Sequence, residues 1–566
     1  MSKPSELFGM TRRELMANAI GISALGAFSW YGYQYLKPVP PKINIYRPGL
    51  ELGHFMRDSQ KLSDPITTVH CDVLIAGSGA SALTAAWKLK REGFSNFVML
   101  EGPEPDGNNA GIVNGELRYP TAAHYFALPS QESRHIREML SDIGVLIGDP
   151  YVEASEYDEM VLVHALEERL LRNGIWQEGL LPEEDADSRR FFQFIHELSQ
   201  MKGDDDKPLF AIPIKLSSRD TGWLQLDKMT FVQWLEQEGY TSPSLLWYLN
   251  YCCRDDYGQG IKHVSAWAGL HYFAARTGQA KHAGYGAVLT WPDGLATFNR
   301  KLREYVGFER DELGQTEDMQ NLHTPAVMAG SVLNMTEYGD RVELLVAVKN
   351  GHQRQTYQTV KVVAGKVISA MPLYMASYVV SNIKEYGFNP QEHLPAYGPW
   401  ILSNFVFDTY PQELQGASLA WDNVVLDSPG LGYVVSTHQL IRAAKPERTA
   451  FTAYYPMDED DPRTVRQWMM TATQDELVAK AVCDLQQAYP KDLWQHLQQI
   501  DITLRGHAMA SPTPGYRSNA GLQALQQYNG RVVFAHSDLS GYSVIEEAAW
   551  WGVQAANKVL ALESRS

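Results

Sequence analysis

An α/β fold made of two interleaved units is predicted from three observations. The first is an apolar strand, Cys71 to Ala76 with Asp72 its one charge, that runs into Gly77-Ser78-Gly79-Ala80-Ser81-Ala82 and then an Ala/Leu-rich helix to about Arg91. The second is a strand at Gly530 to Phe534, leading through His536-Ser537-Asp538 into an Ala-rich helix close to the C-terminus. The third is length: 566 residues exceed what one hydrophobic core usually organises, so a second domain must be woven between these two ends.

The N-terminal strand, turn and helix are followed by a strand from Phe97 to Leu100 that ends in Glu101. Strand, glycine turn, helix, strand and terminal acid together form a Rossmann-like dinucleotide-binding fingerprint. Gly77 and Gly79 allow the tight turn and close backbone approach, and Ala82 stands in the third small-residue position. The helix N-terminus faces a pyrophosphate, and Glu101, about twenty residues past the glycines, accepts hydrogen bonds from ribose hydroxyls. On this evidence alone the dinucleotide is either NAD or FAD.

Composition narrows the partners. With 45% hydrophobic and 20% charged residues the chain is ordinary globular protein, and its net charge of −17 argues against nucleic acid, which is held by clustered Lys and Arg. Four cysteines, at 71, 252, 253 and 483, have no CxxC spacing, so neither a disulfide scaffold nor a metal site is expected.

Thr11-Arg12-Arg13-Glu14-Leu15-Met16 precedes a segment, Ala17 to Leu36, without Asp, Glu, Lys or Arg. This resembles a twin-arginine export signal, which implies the twin-arginine translocase as a partner and a periplasmic or exported location. No A-x-A cleavage site follows. Residues 1–41 therefore read as a signal that can also stay as an inner-membrane anchor, with aromatic residues at the headgroup level and Pro38 to Pro41 as a stiff spacer.

The passage from Ala535 to Ala548 resembles the C-terminal flavin motif of the amine oxidases. The resemblance implies FAD, with Asp538 holding its ribityl or phosphate portion and the backbone of Val544 and Ile545 near the pyrimidine edge of the ring. The alternative is a plain strand-to-helix turn capped by Ser543. Three further segments fall in the order this superfamily has. Gly102 to Ala110 stands where amine oxidases carry a basic GGR-type element, and Tyr119 to Tyr125 is similar to their flavin-contacting segment, with Ala123, His124 and Tyr125 beneath the ring. A hairpin read between Ser331 and Leu344 brings the Val332 backbone to the adenine, and Lys366 to Pro372 resembles the return strand to the cofactor domain. The resemblance thus assigns 65–135, 320–375 and 501–562 to FAD binding, and 136–319 and 385–500 to the substrate domain.

The substrate region is less diagnostic. Tyr251 to Gly258 and Trp267 to Arg276 read either as cavity-lining groups or as a capped helix with its buried face. By analogy the segment Arg505 to Met509 is a loop over the flavin. His507, then His124, are the candidate catalytic side chains. Amine oxidases place a lysine near the flavin, yet Tyr397 to Asn404, the corresponding stretch, has none. No cysteine suits covalent attachment, so the FAD is expected to be noncovalent. The reaction implied is hydride transfer from a substrate C–H, next to nitrogen in an amine or amino acid, to flavin N5, with oxygen or a respiratory carrier as electron acceptor. A carotene-desaturase-type desaturase or isomerase and a noncatalytic flavin-binding subunit are the alternatives.

Overall fold

The computed structural model of the chain describes residues 40–58, 64–163, 165–284, 286–311, 318–349, 357–440 and 446–563. The twin-arginine motif and the apolar segment after it lie outside the described residues.

Strand Thr68–Ala76 lies between Val98–Leu100 and Tyr357–Ser369, parallel to both. Ala326–Met328 runs parallel on the far side of Val98–Leu100, and Val532–Phe534 runs parallel to the end of Tyr357–Ser369. In register, Ala76 faces Leu100 and Ser369, Leu100 faces Met328, and Ser369 faces Phe534. Five strands from distant parts of the sequence thus end along one edge. They are continuous apolar runs because both faces of the sheet are covered. Helices Ala80–Arg91 and Ile545–Glu563 pack on the face of Val73 and Ile75. Helices Leu373–Val379 and Ala520–Gln527 pack on the face of Leu74 and Ala76. The expected hairpin forms from Ser331–Glu337 and Val342–Lys349 with a bulge after Val332, and extends the same sheet.

A second, mixed sheet is built on the long antiparallel pair Ala396–Phe407 and Leu497–Ser511. It continues through Thr449–Pro456, Tyr433–Val435, Asp422–Val425 and Glu168–Arg172 to Ile175–Glu178, and Lys42–Tyr46 closes its other edge. Two expectations change here. Arg505 to Met509 are strand, not loop: the alternating Ile500, Ile502 and Leu504 carry the pairing on until Tyr397 faces Ala510, so the boundary expected at 501 falls inside a strand of the second sheet. Helices Arg134–Asp142 and Ala296–Val306, expected in the substrate domain, instead bury Ile136, Met139, Phe298 and Leu302 against the glycine-turn helix.

Helices Ala186–Gln200, Phe231–Gln237, Pro243–Tyr257 and Ala266–Ala274 share an aromatic core. Ser242 caps the third, whose C-cap is Gly258 in the left-handed conformation. Tyr251 to Gly258 is therefore a capped helix end, and Trp267 to Ala274 lies within the next helix.

The glycine-turn helix and the C-terminal helix meet closely at Gly552, where a Cβ would lie 2.4 Å from the Ser81 carbonyl oxygen and 3.0 Å from Thr84 Cβ. Gly552→Val must push the helices apart. It is expected to lower stability by about 1–3 kcal/mol, read as a shifted urea midpoint at unchanged slope.

Candidate functional site

The edge where the five strands end is the place where open α/β sheets hold ligands, in a crevice beyond the carboxyl ends of the strands. Gly77 opens it with φ +121°, and a Cβ there would lie 3.2 Å from the Ala370 carbonyl oxygen. Gly79 is the N-cap of the helix Ala80–Arg91, and no side chain caps that end. Its first-turn N–H groups and positive dipole end thus face the crevice. Ala82 is fully buried in that turn. Glu101 follows the next strand, its backbone tied to Met328 O at 2.9 Å, while Gly102 N donates to Gly330 O at 2.9 Å. That joins the acid to the start of the hairpin, on which Val332 is buried opposite Val346.

The loop after Glu101 folds back on the glycine turn: Asp106 N donates to Ser78 Oγ at 3.3 Å, and Ser78 Oγ donates to Glu101 O at 2.6 Å. The loop is acidic, and arginines from elsewhere answer it. Arg310 reaches Glu101 at 3.0 Å, and Arg303 reaches Glu101 at 3.7 Å and Asp106 at 3.0 Å. Arg505, 8% exposed, donates to both Glu104 oxygens at 2.9 and 2.7 Å and to Asn108 Oδ1 at 3.0 Å. The guanidiniums that the loop sequence lacks are thus supplied by a helix, a neighbouring strand and the second sheet.

Ala123, His124 and Tyr125 run between this loop and the second sheet. Ala123 N donates to Asn108 O at 2.8 Å, and Asn108 Nδ2 donates to Ala508 O at 2.7 Å. The His124 ring lies 4.4 Å from Tyr454, 4.9 Å from Tyr125 and 5.6 Å from Trp421, centre to centre. Tyr454 is fixed by its hydroxyl on Ala122 O at 3.1 Å. Two carboxyl groups border this aromatic box: Tyr125 Oη donates to Asp255 at 3.4 Å, and Tyr251 Oη donates to Asp422 at 3.4 Å. Burial pushes Asp255 up to about 7 and Asp422 well above the usual carboxylate range, each reinforced by neighbouring carboxylates. Burial pushes the His124 imidazole down to about 3.

At the other end of the crevice, Asp538 is 1% exposed. One of its oxygens accepts from Leu373 N at 2.8 Å and from Tyr397 Oη at 2.7 Å. Burial opposes its charge, but His536 and these two donors hold the carboxyl below its ordinary value. The carboxylate thus anchors three chain segments around the start of the last helix, where Val544 and Ile545 lead into Ile545–Glu563. The Ser543 hydroxyl accepts from Ala510 N at 2.9 Å. Beside it, the His507 ring stacks on Tyr374 at 4.5 Å and meets Tyr397 edge-on at 5.8 Å. Burial, with Arg466 adding to it, pushes His507 down to about 4.

The predicted residues therefore fall into two groups along one edge. Gly77, Gly79, Ala82, Glu101 and Val332 gather at the glycine turn and hairpin, while Ala123, His124, Tyr125, His507, Asp538, Val544 and Ile545 gather at the second sheet and last helix. The two histidines have different surroundings, and both are neutral near neutral pH, too weakly basic for efficient proton abstraction there. Trp421, Asp422, Tyr454, Tyr374 and Tyr397 were not anticipated as site residues, and of these only Tyr397 had a signal, since it heads the stretch searched for a lysine. Asp255 lies in the Tyr251 to Gly258 segment, for which cavity lining was one of the two readings.

The NAD(P)-binding Rossmann-like domain family matches residues 75–143. A search of curated proteins finds no match by sequence. Among solved structures, putrescine oxidase bound to putrescine is similar with a TM-score of 0.58 at 15% identity, over 87% of this chain and 100% of that one. Cyclohexylamine oxidase from Brevibacterium oxydans gives 0.55 at 15% identity, over 87% and 99%. A CLA-producing fatty acid isomerase from P. acnes gives 0.54 at 15% identity, over 86% and 97%. The chain thus has a mixed α/β fold with a Rossmann-like domain, shared with amine oxidases.

Two outcomes follow from the site. Tyr397→Phe removes a hydrogen bond to a buried carboxylate, so stability at pH 7 is expected to fall by about 1.5–3 kcal/mol. Because Asp538 is held below its unfolded value near 3.9, its stabilisation is present above that value and is lost as pH falls through the folded one, so the gap between variant and wild type should close in acid urea titrations. Nitrogen-15 NMR should find His124 neutral from pH 8 to about 5.

Proposed function

We propose that the protein is an FAD-dependent oxidoreductase that takes a hydride equivalent from a carbon bonded to nitrogen in an amine or amino acid. The observation that carries this reading is the aromatic box of His124, Tyr125, Trp421 and Tyr454, bordered by Asp255 and Asp422. Aromatic faces attract a cation such as a substrate ammonium, and an arriving positive charge would lower the raised proton affinity of Asp255 and Asp422.

The crevice fits a noncovalent FAD. Gly77, at a φ that L side chains rarely adopt, suits a close backbone approach, the uncapped helix end at Gly79 suits a pyrophosphate, and Glu101 suits a ribose. Ala123 to Tyr125 and the Val544–Ile545 passage would flank the ring, with Val332 toward the adenine. When bound, FAD supplies a hydride acceptor at N5. Tyr125, Trp421 and Tyr454 exclude water and orient the substrate, and Asp538 with Tyr397 fixes the strand-to-helix passage under the ring. The names of two similar structures, putrescine oxidase and cyclohexylamine oxidase, agree with an amine.

The isomerase or desaturase reading draws on the fatty acid isomerase among the similar structures. A site bordered by two acidic side chains suits a long apolar chain less well. The twin-arginine motif supports export to the periplasm, with residues 17–36 as a candidate membrane anchor. Oxygen or a respiratory carrier would take the electrons.

The test is an anaerobic titration of the purified flavoprotein with amines, amino acids and polyamines. Loss of the flavin absorption band with one of these donors is the expected result. A band that bleaches with none of them would overturn the amine reading and favour isomerisation or a binding role.

A further inference from the structure

We propose that Asp255 is the group that takes the proton from the substrate's ammonium form, positioned by Tyr125. This rests on the amine reading above. An ammonium has no lone pair to assist loss of hydride from the neighbouring carbon, so a proton must leave first. In the proposed step the N–H bond breaks, its electron pair stays on nitrogen, and the proton moves to an Asp255 carboxylate oxygen. Ammonium and carboxylate become amine and carboxylic acid, and no electrons leave the pair.

Asp255 lies in the last turn of the helix Pro243–Tyr257. It is partly exposed. Among the described residues its hydrogen-bond donor is Tyr125, a member of the segment assigned to the flavin face. The other acids nearby are engaged differently. Asp256 takes Arg276 through both oxygens at 2.6 Å, and Asp422 takes both Tyr251 and the backbone N–H of Asn423. Asp255 therefore keeps acceptor capacity beside the aromatic box, close enough to Tyr454 to influence it electrostatically.

The charge environment suits the role. Burial raises the proton affinity of Asp255 and Asp256 raises it further, while Arg276 and the Tyr125 hydroxyl lower it, for a net value of about 7. Tyr251 and Cys252 of the same helix and Asp422 from the second sheet also face it, and burial holds both Tyr251 and Cys252 uncharged. An arriving ammonium would favour the carboxylate. The two histidines of the site are weak bases, His124 at about 3 and His507 at about 4, and Tyr397 to Asn404 has no lysine.

The experiment compares wild type, Asp255→Asn and Asp255→Glu as FAD-loaded proteins, after FAD content and thermal midpoint confirm that each is folded. Anaerobic stopped-flow reduction is followed from pH 5.5 to 9 with the amine that bleaches the wild type, putrescine being the first probe. The wild-type rate should fall on the acid side of about 7. Asp255→Asn should lose about 10²–10⁴-fold in rate together with that acid limb, and Asp255→Glu should restore a limb. A second readout needs no turnover: because Glu546 and Glu167 are also raised to about 7, it is the wild-type minus Asp255→Asn infrared difference that should show one carboxylic-acid band titrating near neutrality. An Asp255→Asn protein that keeps the acid limb, or whose infrared titration matches that of the wild type in full, overturns the assignment to Asp255 and leaves the amine reading standing. A wild type that no amine bleaches overturns both.

Discussion

Everything at the site depends on the register of three parallel strands. Ala76, Leu100 and Ser369 end side by side, so Gly77, Glu101 and Ala370 emerge at one level. Gly77 then turns at φ +121°, a conformation that L side chains rarely adopt, and a Cβ there would be crowded against the Ala370 carbonyl. Because side chains alternate along a strand, a slip of one residue would bury the wrong face of each strand and separate the turn from the acid. The helices on the two faces hold that register by packing, and the C-terminal helix can approach only because Gly552 offers no side chain.

The second dependence is electrostatic. The loop after Glu101 carries Glu104 and Asp106 beside the glycine turn, a poor place for bare negative charge if an anionic cofactor is to sit there. Arg303, Arg310 and Arg505 balance it. Arg505 does so from the second sheet, through a nearly buried guanidinium. Removing one partner of such a pair leaves an uncompensated buried charge, which is costly, so the two sheets are locked at the mouth of the crevice. His124 and Tyr125, stitched to the same loop through Asn108, take their position from that lock.

The glycine turn, its helix and the closing acid were legible because their signal is local: period, glycine spacing and an acid at a fixed offset all lie within about thirty residues. The hairpin at Ser331 was legible for the same reason. The strand character of Arg505 to Met509 was not, because it comes from pairing with residues a hundred positions earlier, and Gly506 and His507 interrupt the apolar alternation. The aromatic box was illegible in a stronger sense. Tyr125, Asp255, Trp421 and Tyr454 come from four separate elements, and nothing in the local pattern of any one marks the others. The arginines facing the acidic loop were hidden likewise, since a loop without a basic residue reads as lacking the charge that the fold brings from a distance.

The claim on which the rest stands is that this crevice holds FAD, and holds it without a covalent bond. Its most direct test is to purify the folded protein, record its visible spectrum, precipitate it with acid, and identify the flavin in the supernatant by chromatography. The account predicts flavin bands before precipitation and close to one FAD per chain released afterwards. Folded protein without flavin would contradict the assignment of the crevice, and flavin that stays with the precipitate would contradict noncovalent binding.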